Sequence, residues 1–159
     1  MPKTSAARLL DSAGVNYDLR TYDVGEEDLS ASTAAEKLGL DIASVFKTLV
    51  ARSSTNEVLL ACIPADTQLD GNALGSASCA KRAELVPLAE VQGLTGYVRG
   101  GVSPLGTKKP YRLFIDETAH GQPRISISAG LRGLQIIISP DDLVKVANAA
   151  VVPISRRVL

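Results

Sequence analysis

A single lysine within an apolar segment is the first candidate for chemistry. In SVFKTLVA, residues 44–51, both faces of a predicted strand are largely apolar, and Lys47 shares its face with Val45 and Leu49. Burying an unpaired ammonium is costly. Lys47 therefore either extends from the start of the strand to water, or lies at the mouth of a cleft and binds an anionic or carbonyl group. The spacing alone leaves both interpretations open.

A glycine-rich segment is the second candidate. GYVRGGVSPLG, residues 96–106, has four glycines and one proline around one serine. Gly100 and Gly101 allow positive φ and let a ligand approach the backbone amides, while Ser103 adds a hydroxyl and Pro104 fixes φ. Such a loop either connects two strands or binds an oxygen atom through its N–H groups. These two interpretations are equally compatible with the sequence.

A second glycine loop follows at ISAGLRGL, residues 127–134. Ser128, Gly130 and Gly133 bracket a turn between two predicted strands, which is either a simple hairpin or a second wall of a pocket. The one histidine, His120, falls in the polar loop ETAHGQP and is interpreted as solvated. No Ser-His-Asp arrangement is therefore predicted.

The cysteine count and the charge balance exclude several classes of protein. Cys62 and Cys79 lie in or beside apolar runs and are interpreted as buried free thiols; with a single histidine they make no zinc site. The 17 Lys and Arg residues equal the 17 Asp and Glu residues in number, which argues against broad coating of a nucleic acid but not against a narrow contact. The 159 residues fit one domain, residues 1–159. No signal peptide or membrane span is predicted, so we expect a cytoplasmic protein.

The local patterns predict a mixture of helices and strands. Helices are predicted from Thr4 to Gly14, from a capping box of Thr33 and Glu36 to Gly39, in pieces over residues 69–95 broken by Gly75, Pro87 and Gly93, and from Ser139 with Pro140 at its first position. Strands are predicted at residues 15–21, on both sides of a polar turn at residues 53–56, and at residues 97–99, 111–115, 124–128 and 134–138. Residues 26–33 are predicted to form a loop. Because no regular βαβ rhythm appears, the prediction is an α+β fold.

Three segments together resemble the YbaK/EbsC family. SVFKTLV, GYVRGGVSPLGTKKP and ISAGLRGLQIII followed by SPDDLVKV occur in the order and spacing of that family. The resemblance covers nearly the whole chain, from RLLDSAGVNYDLRTYD onward. It implies a mixed, mostly antiparallel β-sheet with helices packed around it, as in the related editing insertion domain of bacterial prolyl-tRNA synthetases. It also implies a free-standing aminoacyl-tRNA deacylase.

The resemblance assigns roles to residues of the first two motifs. Lys47 would be the family's key lysine, which holds the 3′ end of the tRNA, and Thr48 beside it would contact substrate. Gly100 and Gly101 would line the pocket with backbone amides. Ser103 and Pro104 would shape that loop and take part in substrate binding.

Further residues match the family outside these two motifs. Tyr22 resembles the family's pocket tyrosine, and Ser128 and Gly130 match its second glycine loop. This chain departs from the pattern in that loop, because Ala129 and Leu131 replace a glycine and a lysine. Gln135 stands where some members carry an aspartate, which removes a carboxylate from the expected site.

The resemblance also implies the partners and the chemistry. The best-known members hydrolyse mischarged Cys-tRNA(Pro), and related members remove other small amino acids such as alanine. The partner would be mischarged tRNA(Pro), with a prolyl-tRNA synthetase as a further candidate and neither DNA nor a membrane involved. No metal or organic cofactor is implied, because an aminoacyl ester needs only positioning and stabilisation of its oxyanion. A non-catalytic module that captures tRNA or a synthetase is the alternative of a different class.

Overall fold

A computed structural model describes residues 3–24 and 30–157. Its α-helices are α1 (Ser5–Ser12), α2 (Ala31–Leu38), α3 (Gly71–Ala77), α4 (Leu88–Thr95) and α5 (Pro140–Ala147). Its strands are β1 (Asp18–Thr21), β2 (Phe46–Ser53), β3 (Val58–Pro64), β4 (Thr67–Leu69), β5 (Ala83–Leu85), β6 (Arg112–Asp116), β7 (Ile125–Leu131), β8 (Leu134–Ile138), β9 (Ala150–Val152) and β10 (Ser155–Arg157). Short 3₁₀ helices cover Ile42–Ser44 and Glu117–Gly121.

The described strands form two principal sheets and one short ribbon. A five-stranded sheet has the order β5-β2-β3-β6-β9, a three-stranded sheet has the order β1-β8-β7, and β10 pairs with β4. Only the β3–β6 and β6–β9 pairs are parallel. The predicted α+β fold with a mixed, mostly antiparallel sheet is therefore confirmed.

The main core lies between the two sheets. Alternate residues of β7 and β8, including Ile127 and Ile136, pack with Phe46 and Val50 of β2 and Ile115 of β6. The opposite face of the five-stranded sheet is also buried, against residues of α3 and the C-terminal segment. Burial on both faces explains why the strands β2 and β3 read as nearly continuous apolar runs.

The first half of β2 is open along one edge, and this opening creates room for a site. β5 pairs with β2 only at residues 51–53, where Ala51, Arg52 and Ser53 face its residues. Before that point the only backbone pairing of the described residues on this edge is an isolated bridge between Val45, the residue before β2, and Ser126 of β7. The segment between these two contacts has no partner strand on that edge among the described residues.

The helix ends confirm most of the capping predictions. The Thr4 hydroxyl accepts a hydrogen bond from the Ala7 N–H at 3.2 Å, and α5 begins at Pro140 after Ser139. The capping box prediction was wrong, because Ser30 rather than Thr33 caps α2 and accepts from the Thr33 N–H at 3.2 Å. Residues 31–33 are consequently helical, while residues 26–29 of the predicted loop lie outside the described residues.

Residues 69–99 differ from prediction in detail. The helical pieces are present, but Gly75 and Gly93 lie inside α3 and α4 instead of ending them. The strand β5 was not predicted, because its three residues are defined by pairing with β2 rather than by their own pattern. The strand predicted at residues 97–99 is absent. Left-handed glycines at Gly96 (φ +83°) and Gly100 (φ +84°) turn the chain at both ends of that segment.

One buried carboxylate fastens the C-terminal segment to β6. Asp116 Oδ1 accepts hydrogen bonds from the N–H groups of Ile154 and Ser155, both at 2.9 Å. Its Oδ2 accepts from the Thr118 N–H at 3.2 Å and the Thr118 hydroxyl at 2.6 Å. Burial alone would raise the pKa of Asp116, but these hydrogen bonds outweigh it and hold the pKa below its ordinary value.

We expect Asp116→Asn to lower the free energy of unfolding by about 1–3 kcal/mol at neutral pH, because an amide cannot replace all four accepted bonds. A carboxyl whose folded pKa is depressed stabilises the fold above its unfolded pKa of about 3.9, and that contribution is lost as pH falls through the folded pKa. Urea denaturation of both proteins at stepwise lower pH should therefore show the difference shrinking in acid. A difference that is independent of pH would contradict this account.

Candidate functional site

A cleft of about 440 Å³ lies along the open half of β2. Lys47 and Thr48 of β2 line it together with Tyr22, Gly100 and Ser128. These five residues were singled out from separate segments of the sequence, and the fold brings them to one place. The rest of the lining is largely apolar and includes Leu85, Leu88 and Val91 from β5 and α4.

Lys47 lies at the beginning of β2, opposite Ile63 of β3, with its side chain half-buried at the cleft. Of the two positions that the sequence left open, the structure shows the one at a cleft. Burial lowers the pKa of the Lys47 ammonium, and the charge of Asp66 partly opposes that effect. No carboxylate of the described residues lies within 4.0 Å of the ammonium, so it is available to an anionic or carbonyl group.

The two glycine loops contact each other directly. A Cβ atom at Gly101 would lie 3.1 Å from the backbone of Leu131 and Arg132, so the absence of a side chain allows the loops to meet. Arg132 Nε donates a hydrogen bond to the Arg99 carbonyl at 2.8 Å across the same junction. The loops at residues 96–106 and 127–134 therefore form one unit beside the cleft.

Tyr97 anchors this unit, and the sequence analysis missed its role. Its ring occupies the space beside Gly130, where a Cβ atom would come within 2.7 Å of the ring. Its hydroxyl donates to the carbonyls of Leu105 at 2.6 Å and Gly106 at 3.1 Å, closing the first loop on itself. The sequence signal for this role is the position of Tyr97 between Gly96 and Gly100. The sequence analysis interpreted Tyr97 as part of a strand.

The other loop residues singled out from the sequence lie behind the cleft lining. Gly101, Ser103, Pro104 and Gly130 are not among the lining residues, whereas Gly100 is. Ser103 is fully buried and its hydroxyl accepts a hydrogen bond from the Leu105 N–H at 3.2 Å. Gly101, Ser103 and Pro104 therefore fix the shape of the first loop, and their contact with a substrate stays a prediction.

Hydrogen bonds to nearby residues hold several polar residues that line the cleft. The Ser128 hydroxyl accepts from the Gly130 N–H at 3.1 Å, which bends the second loop. Gln135 lines the cleft and its Oε1 accepts from the buried Ser126 hydroxyl at 2.7 Å. Tyr22 is joined to the second loop by its N–H, which donates to the Gly133 carbonyl at 3.0 Å.

Neither cysteine contributes a reactive thiolate to the cleft. Cys62 is fully buried beside Thr48, its partner across the β2–β3 pair, with its Sγ 3.8 Å from the Thr48 hydroxyl, and burial raises its pKa to about 12. A thiol with that pKa is protonated and weakly nucleophilic at neutral pH. The prediction that Cys79 is buried was wrong. It is exposed in the turn after α3 with φ +68°, beyond the apolar run that suggested burial.

His120 lies away from the cleft and is exposed, as predicted. Its Nδ1 is 3.9 Å from Asp141 Oδ1, and it does not line the site. Within residues 3–24 and 30–157, no group of three or more histidine, cysteine or acidic side chains is arranged to hold a metal ion. In the same ranges no helix has the length and apolar character needed to cross a membrane. The cleft thus offers an ammonium and hydroxyls. Of the two glycine amides expected there, that of Gly101 is engaged, because its N–H donates to the Val98 carbonyl at 2.9 Å, and only Gly100 lines the cleft.

Comparisons with known proteins identify the family of this chain. The model of a family described as "Aminoacyl-tRNA editing domain" matches residues 26–146. A protein of Enterococcus faecalis named "Putative Cys-tRNA(Pro)/Cys-tRNA(Cys) deacylase EbsC" is 35% identical over 155 residues, covering 98% of this chain and 94% of that protein. The "Multifunctional Ser/Thr-tRNA deacylase ProXp-y" of Escherichia coli is 28% identical over 153 residues, which cover 93% of this chain and 89% of that protein.

Solved structures share the fold. A protein titled "hypothetical protein APE2540" superposes with a TM-score of 0.87 at 24% identity, over 96% of this chain and 99% of its own. A structure titled "putative trans-editing enzyme for prolyl tRNA synthetase" gives a TM-score of 0.81 at 22% identity, over 98% and 99% of the two chains.

The chain belongs to the aminoacyl-tRNA editing family. It is accordingly a deacylase, a hydrolase that acts on the ester of an aminoacyl-tRNA.

The docking of Tyr97 on Gly130 can be tested with a matched pair of glycine substitutions. Gly130→Ala should destabilise the protein by about 1–3 kcal/mol, because a methyl group would strike the Tyr97 ring and the backbone has φ +103°. Gly93→Ala in α4 meets no atom within 4 Å and should instead stabilise the protein by about 0.5–1 kcal/mol. Urea denaturation measures both changes, and equal effects at the two positions would contradict the account.

The environment of Lys47 predicts a pH dependence of deacylation. The pKa of Lys47 is lowered from the ordinary 10.5, so the ammonium loses its proton at a lower pH than a free lysine does. The enzymatic rate should therefore fall as pH rises through the lowered pKa. Lys47→Arg keeps its charge and should move this descending limb upward. The measurement is the pH profile of the rate after subtraction of spontaneous ester hydrolysis. An unchanged limb in Lys47→Arg would show that another group titrates.

Proposed function

We propose that this protein hydrolyses mischarged Cys-tRNA(Pro) in trans and so protects the fidelity of translation in the cytoplasm. The observation that carries the proposal is that Lys47 and Gly100 line the same cleft. Two further observations support it. The 35% identical relative bears the name of a Cys-tRNA(Pro)/Cys-tRNA(Cys) deacylase, and its match extends over nearly the whole of both chains.

The roles of the cleft residues follow from the chemistry of an aminoacyl ester. The Lys47 ammonium binds the 3′-terminal phosphate or ribose of the tRNA, and the Gly100 amide donates to the carbonyl oxygen as negative charge develops there. Thr48, Tyr22 and Ser128 orient the aminoacyl group, while Gly101, Ser103, Pro104 and Gly130 hold the amide-bearing loop in position. An activated ester held in this way needs little acid or base catalysis.

The substrate itself supplies the nucleophile in the proposed reaction. The cysteinyl thiolate attacks the ester carbonyl, a C–S bond forms, and the C–O bond to the tRNA ribose breaks. The ribose oxygen takes up a proton, and the resulting cyclic thioester is then hydrolysed by water to cysteine. This route fits a cleft with no histidine among its lining residues and with the Cys62 thiol buried and protonated at neutral pH.

Other functions on the same fold are distinguished by the aminoacyl group. A deacylase for Ala-tRNA(Pro) would act without any thiol on the substrate, and the 28% identical relative carries the name of a Ser/Thr-tRNA deacylase. A non-catalytic module would bind tRNA or prolyl-tRNA synthetase without turnover. In the proposed function the synthetase is at most a partner that delivers the mischarged tRNA.

The proposal is tested by single-turnover deacylation of a matched panel of Cys-, Ala-, Ser- and Thr-tRNA(Pro). We expect Cys-tRNA(Pro) to be hydrolysed fastest, because only its side chain supplies a thiol. Lys47→Ala should reduce the rate by at least about 100-fold, because without the ammonium the ester is no longer held in line with the Gly100 amide, and a misplacement of about 1 Å costs that much. Lys109→Ala, which removes a lysine outside the cleft lining, is the control and should keep the wild-type rate.

Three outcomes would overturn the proposal. Faster hydrolysis of Ala-tRNA(Pro) than of Cys-tRNA(Pro) would assign the alternative substrate. Full activity of Lys47→Ala would remove the lysine from the reaction. Binding of tRNA without hydrolysis of any member of the panel would favour the non-catalytic module.

A further inference from the structure

Two arginines of the joined glycine loops have no role in the reaction described above. Arg99 belongs to the first loop and lines the cleft, and Arg132 belongs to the second loop. Both side chains are exposed. The hydrogen bond from Arg132 Nε to the Arg99 carbonyl places the Arg132 guanidinium against the backbone of Arg99. Two cationic side chains therefore extend from one loop junction beside the cleft.

Arg99 and Arg132 have no carboxylate partner among the described residues, a property they share with Arg8, Arg20, Arg156 and Arg157. What sets them apart is their place at the joined loops beside the cleft. Within residues 3–24 and 30–157, no Asp or Glu oxygen lies within 4.0 Å of Arg99 or Arg132. By contrast, four arginines elsewhere are ion-paired: Arg52 with Glu90, Arg82 with Glu84, Arg112 with Glu57, and Arg124 with Asp18. The charges of Arg99 and Arg132 are thus free for an external anion.

We propose that Arg99 and Arg132 form a phosphodiester clamp for the single-stranded 3′ end of the RNA substrate. The inference rests on the proposed function, since an ester bound between Lys47 and Gly100 requires the nucleotides that precede it to leave the cleft along its edge. Guanidinium groups bind phosphate oxygens in a bidentate geometry. Contacts of this kind hold the RNA backbone and do not depend on the base sequence. A clamp of two cations is also compatible with a chain of net charge +0, which cannot neutralise many phosphates.

The contact between the loops fixes the backbone positions from which the two arginines extend. Gly101 lies against the backbone of Leu131 and Arg132, and Tyr97 fills the space beside Gly130. Arg132 is further restrained through its Nε hydrogen bond. Because the loop backbones are already ordered, binding a phosphate costs less conformational entropy than it would on mobile loops. The same unit then supplies the Gly100 amide to the ester and the clamp to the strand that carries it.

The test measures RNA affinity and its salt dependence separately from chemistry. Binding of uncharged tRNA(Pro) is followed by fluorescence anisotropy over a series of salt concentrations, and deacylation of Cys-tRNA(Pro) is followed under single-turnover conditions. Arg99→Gln and Arg132→Gln should each weaken binding about ten-fold. Each should also lower the slope of log affinity against log salt by about 0.7, the value for one phosphate of a single strand. The maximal single-turnover rate should stay within about two-fold of wild type, because the clamp does not touch the ester.

Two further variants separate charge from loop structure. Arg132→Lys loses the Nε hydrogen bond but keeps the positive charge. Because the salt slope depends on charge, it should stay at the wild-type value. Lys145→Gln removes an exposed charge on α5, outside the cleft lining, and should change neither affinity nor slope. The thermal unfolding transition of every variant is measured first, and we expect Arg99→Gln and Lys145→Gln to match wild type because their side chains are exposed. Arg132→Gln and Arg132→Lys both lose the Nε hydrogen bond, so each controls for the structural effect of the other.

The outcomes for the clamp and for the proposed function are distinguishable. If the wild-type protein hydrolyses Cys-tRNA(Pro) while the double variant of Arg99 and Arg132 keeps its affinity and salt slope, the clamp is overturned and the proposed function stands. If no member of the aminoacyl panel is hydrolysed but the double variant loses about 1.4 in slope, the proposed function fails and the clamp stands. Equal loss of slope in Arg132→Lys and Arg132→Gln would overturn the role of charge.

Discussion

The contact between the Tyr97 ring and Gly130 is the interaction on which the site depends. It joins two loops that are about thirty residues apart in the sequence, and the Tyr97 hydroxyl ties the same ring to the carbonyls of Leu105 and Gly106. A side chain at position 130 would separate the loops. This close approach joins the loop that carries Arg99 and Gly100 to the loop that carries Arg132. The glycines at positions 101 and 130 serve to let the loops meet.

The second constraint is the short pairing between β5 and β2. Because β5 contacts only the last three residues of β2, the first half of that strand keeps an open edge beside the loop unit. The cleft is therefore a gap in a sheet, walled by apolar side chains. Such a wall partly dehydrates Lys47 and lowers its pKa while leaving the ammonium able to reach a ligand. The same burial keeps the Cys62 thiol protonated.

Local patterns predicted much of the fold, since they report on neighbouring residues. The hairpin around residues 53–56, the Thr4 cap and the start of α5 at Pro140 each follow from short-range chemistry. Features that depend on distant contacts were missed. Residues 97–99 were predicted to form a strand, but Tyr97 is used as an anchor across loops.

The candidate site was predictable to a similar extent. Lys47 and Gly100 were singled out by their residue types, and the fold places both at the cleft. Arg99 could not be assigned from sequence, because its freedom from carboxylates depends on how the loops pack.

The most direct test of the account is a crystal structure with cysteinyl-adenosine monophosphate in which an amide replaces the ester. The account predicts the carbonyl at the Gly100 N–H and the phosphate within reach of Lys47. An analogue bound outside the cleft, or with its carbonyl turned away from the joined loops, would contradict it.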